Sequence, residues 1–248
     1  MDCYIVAIGG GEIKEKETES IDKMMLSLKK EKNKNRNKIL FISTASTDSE
    51  SYIACFTSYF KELGCEVNTL CLVRHDYSEE EIRELIFSSD IIYVGGGDTA
   101  YMMDVWKKNK VNLFLKEAYE KGIILSGLSA GAICWAVAGH SDSQSFHQKD
   151  WNFCKVEGLG IIPVLLCPHY NEEGRNTFDL MVEETGMPGI ALENKTALLM
   201  KNNQYRILKE EESNKAYWIK VQNGAIEKTE LSEEWFQIEN GTLRLINE

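Results

Sequence analysis

A serine flanked by glycines constrains this chain more than any other feature of its sequence. Gly127-Leu128-Ser129-Ala130-Gly131 stands between the apolar runs 122–126 and 132–138. A buried strand, a G-x-S-x-G turn and a following helix form a nucleophile elbow, whose glycines permit so sharp a turn that the serine hydroxyl projects outward. The next N–H, that of Ala130, then points to where an oxyanion would form, at the positive end of the helix. The alternative is a tight turn that needs small residues only for packing.

The chain before this turn alternates between short apolar strands and helices. Strands are predicted over Tyr4–Ile8, Lys38–Thr44, Glu66–Leu72 and Asp90–Val94, and helices over Ile21–Lys30, Tyr52–Leu63, Ser78–Phe87, Thr99–Trp106 and Val111–Lys121, with a basic loop at Lys32–Lys38. The Ser78–Phe87 helix is predicted with Ser78 as its N-cap and an acidic first turn. This order of elements predicts an α/β fold with a mainly parallel sheet that is covered on both faces. Functional loops of such folds lie at the carboxyl ends of strands.

The pattern changes near Thr196. Short strands joined by Asn-Asn and Asn-Gly turns are predicted over Thr196–Met200, Tyr205–Leu208 and Tyr217–Gln222. No linker of the kind that separates domains precedes them. We therefore expect residues 1–248 to form one domain, with 196–248 as its antiparallel extension.

Composition narrows the partners and the compartment. The net charge of −11 disfavours nucleic acid and anionic membranes as partners. Seven scattered cysteines without a C-x-x-C pair indicate reduced thiols in the core, not a disulfide framework or a zinc site. No signal-peptide pattern begins the chain and no apolar run approaches a membrane span, so we expect a cytoplasmic protein.

A serine nucleophile needs a base, and the chain offers four histidines. His169 ends the apolar run 165–167 with Pro168 and is thereby placed, like Ser129, at a strand's carboxyl end. A histidine in that position is otherwise a structural residue. His140 and His147 fall in a polar stretch that predicts surface residues, and His75 precedes a turn and is expected to be exposed.

The base in turn needs a carboxylate that orients it and stabilises the imidazolium. Two carboxylates are candidates. Glu193 follows the apolar strand 190–192, and Asp142 follows the helix expected after the elbow. The residues alone leave both candidates open.

The second oxyanion donor is expected from the loop Gly95-Gly96-Gly97-Asp98, because glycine lets the backbone approach a substrate closely. Phosphate binding is the alternative for a glycine loop. Neither this loop nor Gly9-Gly10-Gly11 completes a dinucleotide-binding or Walker A sequence, so nucleotide binding is disfavoured.

Three motifs in this order resemble those of peptidase E, the aspartyl dipeptidase family related to cyanophycinase. They are Val94-Gly95-Gly96-Gly97-Asp98-Thr99, Gly127-Leu128-Ser129-Ala130-Gly131-Ala132 and Cys167-Pro168-His169-Tyr170, and the resemblance covers roughly residues 1–200. It implies a three-layer α/β/α sandwich like that of class I glutamine amidotransferase domains, with serine where those carry cysteine.

The resemblance also implies roles. Ser129 looks like the nucleophile, His169 like the general base, and the N–H groups of Gly97 and Ala130 like oxyanion donors. The family's acid corresponds to a glutamate near Glu193 or to an aspartate matching Asp142, and Glu193 is favoured.

Two residues depart from the family pattern. Asp98 stands where peptidase E usually has asparagine, and a carboxylate there would repel an acidic P1 side chain. Arg175 is the cation after the histidine that would recognise such a side chain, but Glu172 and Glu173 beside it dilute its field. Strict Asp-X specificity is therefore not implied.

These observations predict a serine peptidase that hydrolyses short peptides through a Ser-His-acid triad and an acyl-enzyme, without metal or organic cofactor. The substrate contacts are expected around Gly96, Gly97, Asp98, Ala130 and Arg175. A homodimer is left open. The rival hypothesis from another class is a small-molecule-binding protein that retains the fold without catalysis.

Overall fold

The computed structural model describes residues 2–28 and 36–246. Residues 32–35 of the predicted basic loop, and the last two residues of the helix predicted over Ile21–Lys30, lie outside these ranges. None of the helices in the described part combines the length and the apolar character that crossing a bilayer requires.

A mixed sheet lies at the centre of the fold. Five of its strands pair in parallel in the order β1 (Tyr4–Ile8), β5 (Ile124–Leu128), β4 (Ile91–Val94), β2 (Lys38–Ile42) and β3 (Glu66–Leu70). On the other side of β1 the sheet continues antiparallel through β10 (Thr196–Lys201), β11 (Gln204–Lys209), β14 (Phe236–Glu239) and β15 (Thr242–Leu245). A mainly parallel sheet was therefore the wrong expectation.

The strands predicted as an antiparallel extension from Thr196 make this sheet mixed. β10 is antiparallel to β11, as the turn between them indicated, and it is also antiparallel to β1. The sequence did not show that the extension pairs with β1. β10 is buried along five of its six residues, and such a continuous apolar run does not identify the neighbouring strand.

Helices cover this sheet. They are α1 (Glu19–Ser27), α2 (Glu50–Glu62), α3 (Glu79–Phe87), α4 (Thr99–Lys108), α5 (Val111–Glu120) and α6 (Ala130–Ile133). A further helix, α7 (Phe178–Thr185), packs against the second sheet described below. Alternate residues of β1 enter different apolar clusters: Ile5 packs with residues of α3, α4 and α5, and Val6 with residues of α1 and α2. The N-cap predicted at Ser78 is present as a full capping box with Glu81.

The chain after the elbow builds a second sheet. Its strands are, in spatial order, β13 (Ala225–Glu230), β12 (Ala216–Gln222), β9 (Gly189–Leu192), β8 (Ile162–Cys167), β6 (Ala136–Ser141) and β7 (Cys154–Glu157). The helix predicted after the elbow ends at Ile133, because residues from Ala136 onward pair with β8 and β7. Strand pairing here outweighs local helix preference.

His140 lies in β6 and is buried, so its expected surface position was wrong. Its ring stacks on Phe153, and its Nε2 lies 2.9 Å from Thr177 Oγ1. Burial lowers the pKa of His140 to about 3, which makes the neutral ring a packing residue of this sheet.

A buried carboxyl group joins α1 to α2. Asp22 Oδ2 accepts hydrogen bonds from Thr18 Oγ1 (3.0 Å) and Tyr59 Oη (3.0 Å), while Oδ1 is buried without a protein partner. Burial, with the carboxylates of Glu210 and Glu19 nearby, raises the pKa of Asp22 from 3.8 to about 7. The folded protein thus holds a proton that the unfolded chain releases.

Stability should consequently fall as the pH rises through the window between those two pKa values. We expect the free energy of unfolding of the wild type to drop, relative to Asp22→Asn, by on the order of 2 kcal/mol between about pH 5 and about pH 8. Urea unfolding at matched pH values measures this difference. Asp104→Asn, at a solvent-exposed carboxylate, is the control and should run parallel to the wild type. A constant difference between wild type and Asp22→Asn would contradict the assignment.

Candidate active site

Ser129 occupies a strained turn between β5 and α6. Its backbone angles, φ 57° and ψ −110°, lie in a region that L-residues rarely adopt. Backbone hydrogen bonds hold the turn. Ser129 N–H donates to Ile8 O of β1 (3.1 Å), and Ser129 O accepts from the N–H of Ala132 (2.8 Å) and of Ile133 (3.0 Å). This is the local geometry that a nucleophile elbow requires.

The two glycines of the G-x-S-x-G pattern are needed for close packing of backbone on backbone. A Cβ at Gly127 would lie 2.7 Å from Val94 O, and one at Gly131 would overlap the same carbonyl group more severely. Both sites exclude a side chain because Val94 ends the neighbouring strand β4. The packing explanation of the pattern therefore holds, and it is compatible with an elbow at Ser129.

His169 follows β8 and also has a left-handed backbone, with φ 55°. Its N–H donates to Gly9 O (3.0 Å). Its ring Nδ1 lies 2.6 Å from Asn194 Oδ1 and 3.1 Å from Glu172 Oε1. The other ring nitrogen, Nε2, has no protein partner among residues 2–28 and 36–246.

Glu172 and Asn194 form a connected pair beside this ring. Asn194 Nδ2 donates to Glu172 Oε1 (3.0 Å), and Asn194 N–H donates to Asn171 Oδ1 (2.8 Å). The hydrogen bond from His169 lowers the pKa of Glu172 to about 2. Glu172 is thus an anion at neutral pH, next to the imidazole.

The first glycine loop supports this pair. A Cβ at Gly10 would collide with Asn194 Oδ1 and His169 Nδ1, and Gly10 O accepts from Lys195 N–H (2.9 Å). Gly9-Gly10-Gly11 was considered above only for phosphate binding. In the structure it leaves room for the side chains that orient His169.

Ser129 and His169 line one cavity of about 520 Å³. Its further lining residues are Gly11, Glu12, Ile13, Lys14, Glu17, Ser51, Tyr52, Cys55, Gly96, Leu128, Glu172 and Asn194. Across the described ranges, no hydrogen bond joins the hydroxyl of Ser129 to His169. Such bonds often form only when substrate binds.

Backbone N–H groups lie near Ser129. A Cβ on Gly96 would be 3.4 Å from Ser129 Cβ, and Gly96 N–H donates to Tyr52 Oη (3.3 Å). Gly97 has φ 134° and packs against Ala45 O so closely that a side chain would not fit. Ala130 is the first residue of α6, so its N–H lacks an intrahelical acceptor.

The two carboxylates proposed from sequence lie elsewhere. Glu193 Oε2 accepts from Lys215 N–H (2.8 Å), and Asp142 Oδ2 pairs with Arg175 (3.3 Å). Neither lines the cavity or contacts His169. The carboxylate at His169 belongs to Glu172. Which of these groups act in catalysis stays a prediction.

Asp98 and Arg175, proposed as substrate contacts, are also engaged within the fold. Asp98 is buried, accepts from Tyr101 N–H (3.1 Å) as the N-cap of α4, and lies 2.6 Å from His147 Nε2. Arg175 is 3% exposed, donates to His140 O (3.0 Å) and packs over the Phe153 ring. Neither lines the cavity of Ser129, so neither is placed to contact a substrate bound there.

Sequence reasoning missed Glu172, Asn194 and Gly10. The available signals were local: Glu172 stands three residues after the base, and Asn194 stands next to the favoured acid. Within residues 2–28 and 36–246, no three His, Cys, Asp or Glu side chains are grouped so as to hold a metal ion.

Comparison with known proteins shows the family to which this chain belongs. The model of peptidase family S51 matches residues 5–208. The uncharacterised peptidase YgaJ from Bacillus subtilis (strain 168) is 34% identical over 170 residues, which cover 68% of this chain and 69% of the relative. Peptidase E from Shewanella denitrificans is 22% identical over 183 residues, covering 69% and 74%. The crystal structure of a peptidase from an acI-B1 Actinobacterium shares the fold, with a TM-score of 0.69, 22% identity and coverage of 96% and 97%.

These similarities make the protein a serine-type peptidase. More narrowly, the chain belongs to peptidase family S51, and the resemblance to peptidase E inferred from three motifs is confirmed.

The elbow's dependence on backbone packing can be tested by adding one methyl group. Gly131→Ala forces Cβ against Val94 O, and we expect a loss of about 3 kcal/mol in the free energy of unfolding, measured in urea. Gly186→Ala is the control, since its Cβ meets no atom within 4 Å and only its φ of 65° opposes the change. That control should lose about 1 kcal/mol. Equal losses would mean that the contact with Val94 O carries no particular cost.

Proposed function

We propose that this peptidase hydrolyses short peptides by acyl transfer to Ser129. One observation carries the proposal: His169 is fixed by a carboxylate and an amide at Nδ1, in the same cavity as a serine with strained backbone. A buried structural histidine would need no such arrangement beside an elbow.

The hydrogen bonds at Nδ1 support His169 as the general base. Asn194 Oδ1 and Glu172 Oε1 are both acceptors, so Nδ1 carries the proton in the neutral ring. Nε2 then has a free lone pair. It takes the proton of Ser129 as the hydroxyl attacks the peptide carbonyl, and returns it to the leaving amine.

Glu172 is the proposed acid of the triad, in place of Glu193 or Asp142. Its pKa of about 2 keeps it ionised, so it stabilises the imidazolium that forms during attack. Asn194 links Glu172 to the ring and holds both in position. Water entering the cavity completes the reaction by hydrolysing the acyl-enzyme.

The oxyanion is held by backbone N–H groups. Ala130 supplies one from the start of α6, where the helix dipole adds positive potential. Gly97, in the loop after β4, is proposed as the second donor. It follows Gly96, which lines the cavity.

The size of the cavity favours a short substrate. About 520 Å³ is within the range of small-ligand sites and suits a dipeptide better than an extended polypeptide. Dipeptidase activity, with an acidic residue in P1 as one option, is therefore part of the proposal.

Labelling with a fluorophosphonate tests the nucleophile. Intact-protein mass spectrometry should show one adduct on the wild type and none on Ser129→Ala or His169→Ala, because the hydroxyl reacts only when activated. Ser51→Ala is the control: Ser51 lines the same cavity but lies in α2, away from the elbow, so the adduct should persist. An adduct that survives in Ser129→Ala would exclude Ser129 as the nucleophile.

The acid is tested by three isosteric substitutions. Glu172→Gln should lower kcat on the best dipeptide by a factor of about 10² to 10⁴, since the imidazolium loses its counter-charge. Glu193→Gln and Asp142→Asn should each change kcat by less than about threefold, because their carboxylates do not contact His169. Steady-state kinetics with circular dichroism as a check on folding gives the comparison. A large kcat loss in Glu193→Gln alone would restore the original assignment.

A further inference from the structure

The chain between β1 and α1 forms one wall of the cavity. Gly11, Glu12, Ile13, Lys14 and Glu17 all line it. None of the three motifs that carry the family resemblance includes this segment. The roles that the resemblance implies therefore do not cover the charged side chains of this segment.

The backbone of this segment is fixed. Ile13 is buried in the core against α1 and α2, and it begins a short 3-10 turn that Lys16 N–H closes on Ile13 O (3.0 Å). Lys16 Nζ pairs with Glu62 of α2 (2.8 Å), and Glu17 accepts from Glu12 N–H (2.9 Å) and pairs with Lys195 (3.3 Å). The Cα position of Lys14 is thus held at the cavity wall before any ligand arrives.

Most charges around the cavity are already compensated. Glu172 is bound to His169 and Asn194, and Glu17 to Lys195. Lys14 and Glu12 differ, since neither side chain makes an ion pair with any residue in the described ranges, and of the two only Lys14 can attract an anion. Within those ranges, no other lysine or arginine lines the cavity.

The surroundings of the Lys14 ammonium are otherwise acidic. The chain has a net charge of −11, and Lys14 lies between Glu12 and Glu15 in sequence. Arg175, the cation expected to recognise a substrate carboxylate, is buried against Asp142 and Phe153. An anionic group entering the cavity thus finds one mobile counter-charge, on a fixed backbone.

We infer that the Lys14 ammonium binds a carboxylate of the peptide substrate and thereby sets its specificity, an inference that rests on the proposed function. A short peptide offers two such groups close to the scissile bond, its C-terminal carboxylate and, with an acidic P1 residue, a side-chain carboxylate. Both would meet the same ammonium chemistry.

The test compares four peptides: Asp-Leu, Ala-Leu and the C-terminal amides of both. Lys14→Met should raise KM about tenfold for peptides that carry the recognised carboxylate, with little change in kcat. Loss confined to the Asp peptides assigns the P1 side chain, and loss confined to the free acids assigns the C-terminus. Lys14→Arg, which keeps the positive charge, should have a KM close to that of the wild type for all four peptides.

Lys116→Met is the control, because Lys116 is likewise an exposed lysine without an ion pair among the described residues, but it lies in α5 and does not line this cavity. It should leave the KM of all four peptides unchanged. An equal loss on all four peptides in Lys14→Met would show a structural role and would overturn the inference.

Binding without turnover separates this inference from the proposed function. Isothermal titration of Asp-Leu and Ala-Leu into Ser129→Ala should give affinities that fall with added salt, and Ser129→Ala/Lys14→Met should bind about tenfold more weakly with little salt dependence. Lys14-dependent binding with no hydrolysis by the wild type would refute the peptidase proposal alone. Ser129-dependent hydrolysis with KM and affinity indifferent to Lys14 would refute the inference alone, and absence of both hydrolysis and binding would refute the two together.

Discussion

Two consecutive carbonyl groups at the end of β1 position both halves of the candidate active site. Ile8 O accepts the N–H of Ser129, and Gly9 O accepts the N–H of His169. Each bond restrains a residue in the left-handed region, which costs energy that the surrounding structure must offset. The distance between nucleophile and base is consequently set by one peptide unit in a buried strand, not by the loops that carry the two side chains.

How far the sequence predicted the site follows from this arrangement. That Ser129 and His169 lie at one cavity was predictable, because strand ends in α/β folds have a recognisable pattern, an apolar run followed by glycine or proline. The contact of Glu172 with Nδ1 was not predictable, because it depends on the left-handed turn at His169, which the residue types do not reveal. Asn194 and Glu193 are adjacent in sequence. The Asn194 side chain contacts His169, whereas the Glu193 side chain accepts a hydrogen bond from the backbone N–H of Lys215, just before β12. A shift of one residue decided between them.

The fold shows the same division. Helix α3 was predicted with its cap because Ser78 and Glu81 form a local motif. β6 was not predicted as a strand, since its partners β7 and β8 come later in the chain and their hydrogen bonds are not visible locally. Arg175 and Asp98 were expected at the substrate for their charge. Both are instead buried, where Asp98 contacts Tyr101 and His147 and Arg175 pairs with Asp142. Sequence alone does not tell whether a charged side chain faces a cavity or a neighbouring loop.

The antiparallel pairing of β10 with β1 has a consequence for biosynthesis. Tyr4 stands opposite Lys201 and Ile8 opposite Ala197, so the strand that anchors Ser129 and His169 is completed by residues nearly two hundred positions later. Contacts of such sequence separation form late in folding and cannot form on a ribosome until β10 has emerged. A nascent chain that already contains the serine and the histidine therefore lacks the finished β1 edge, and with it the Asn194 contact. The candidate active site is therefore assembled only after β10 has been synthesised.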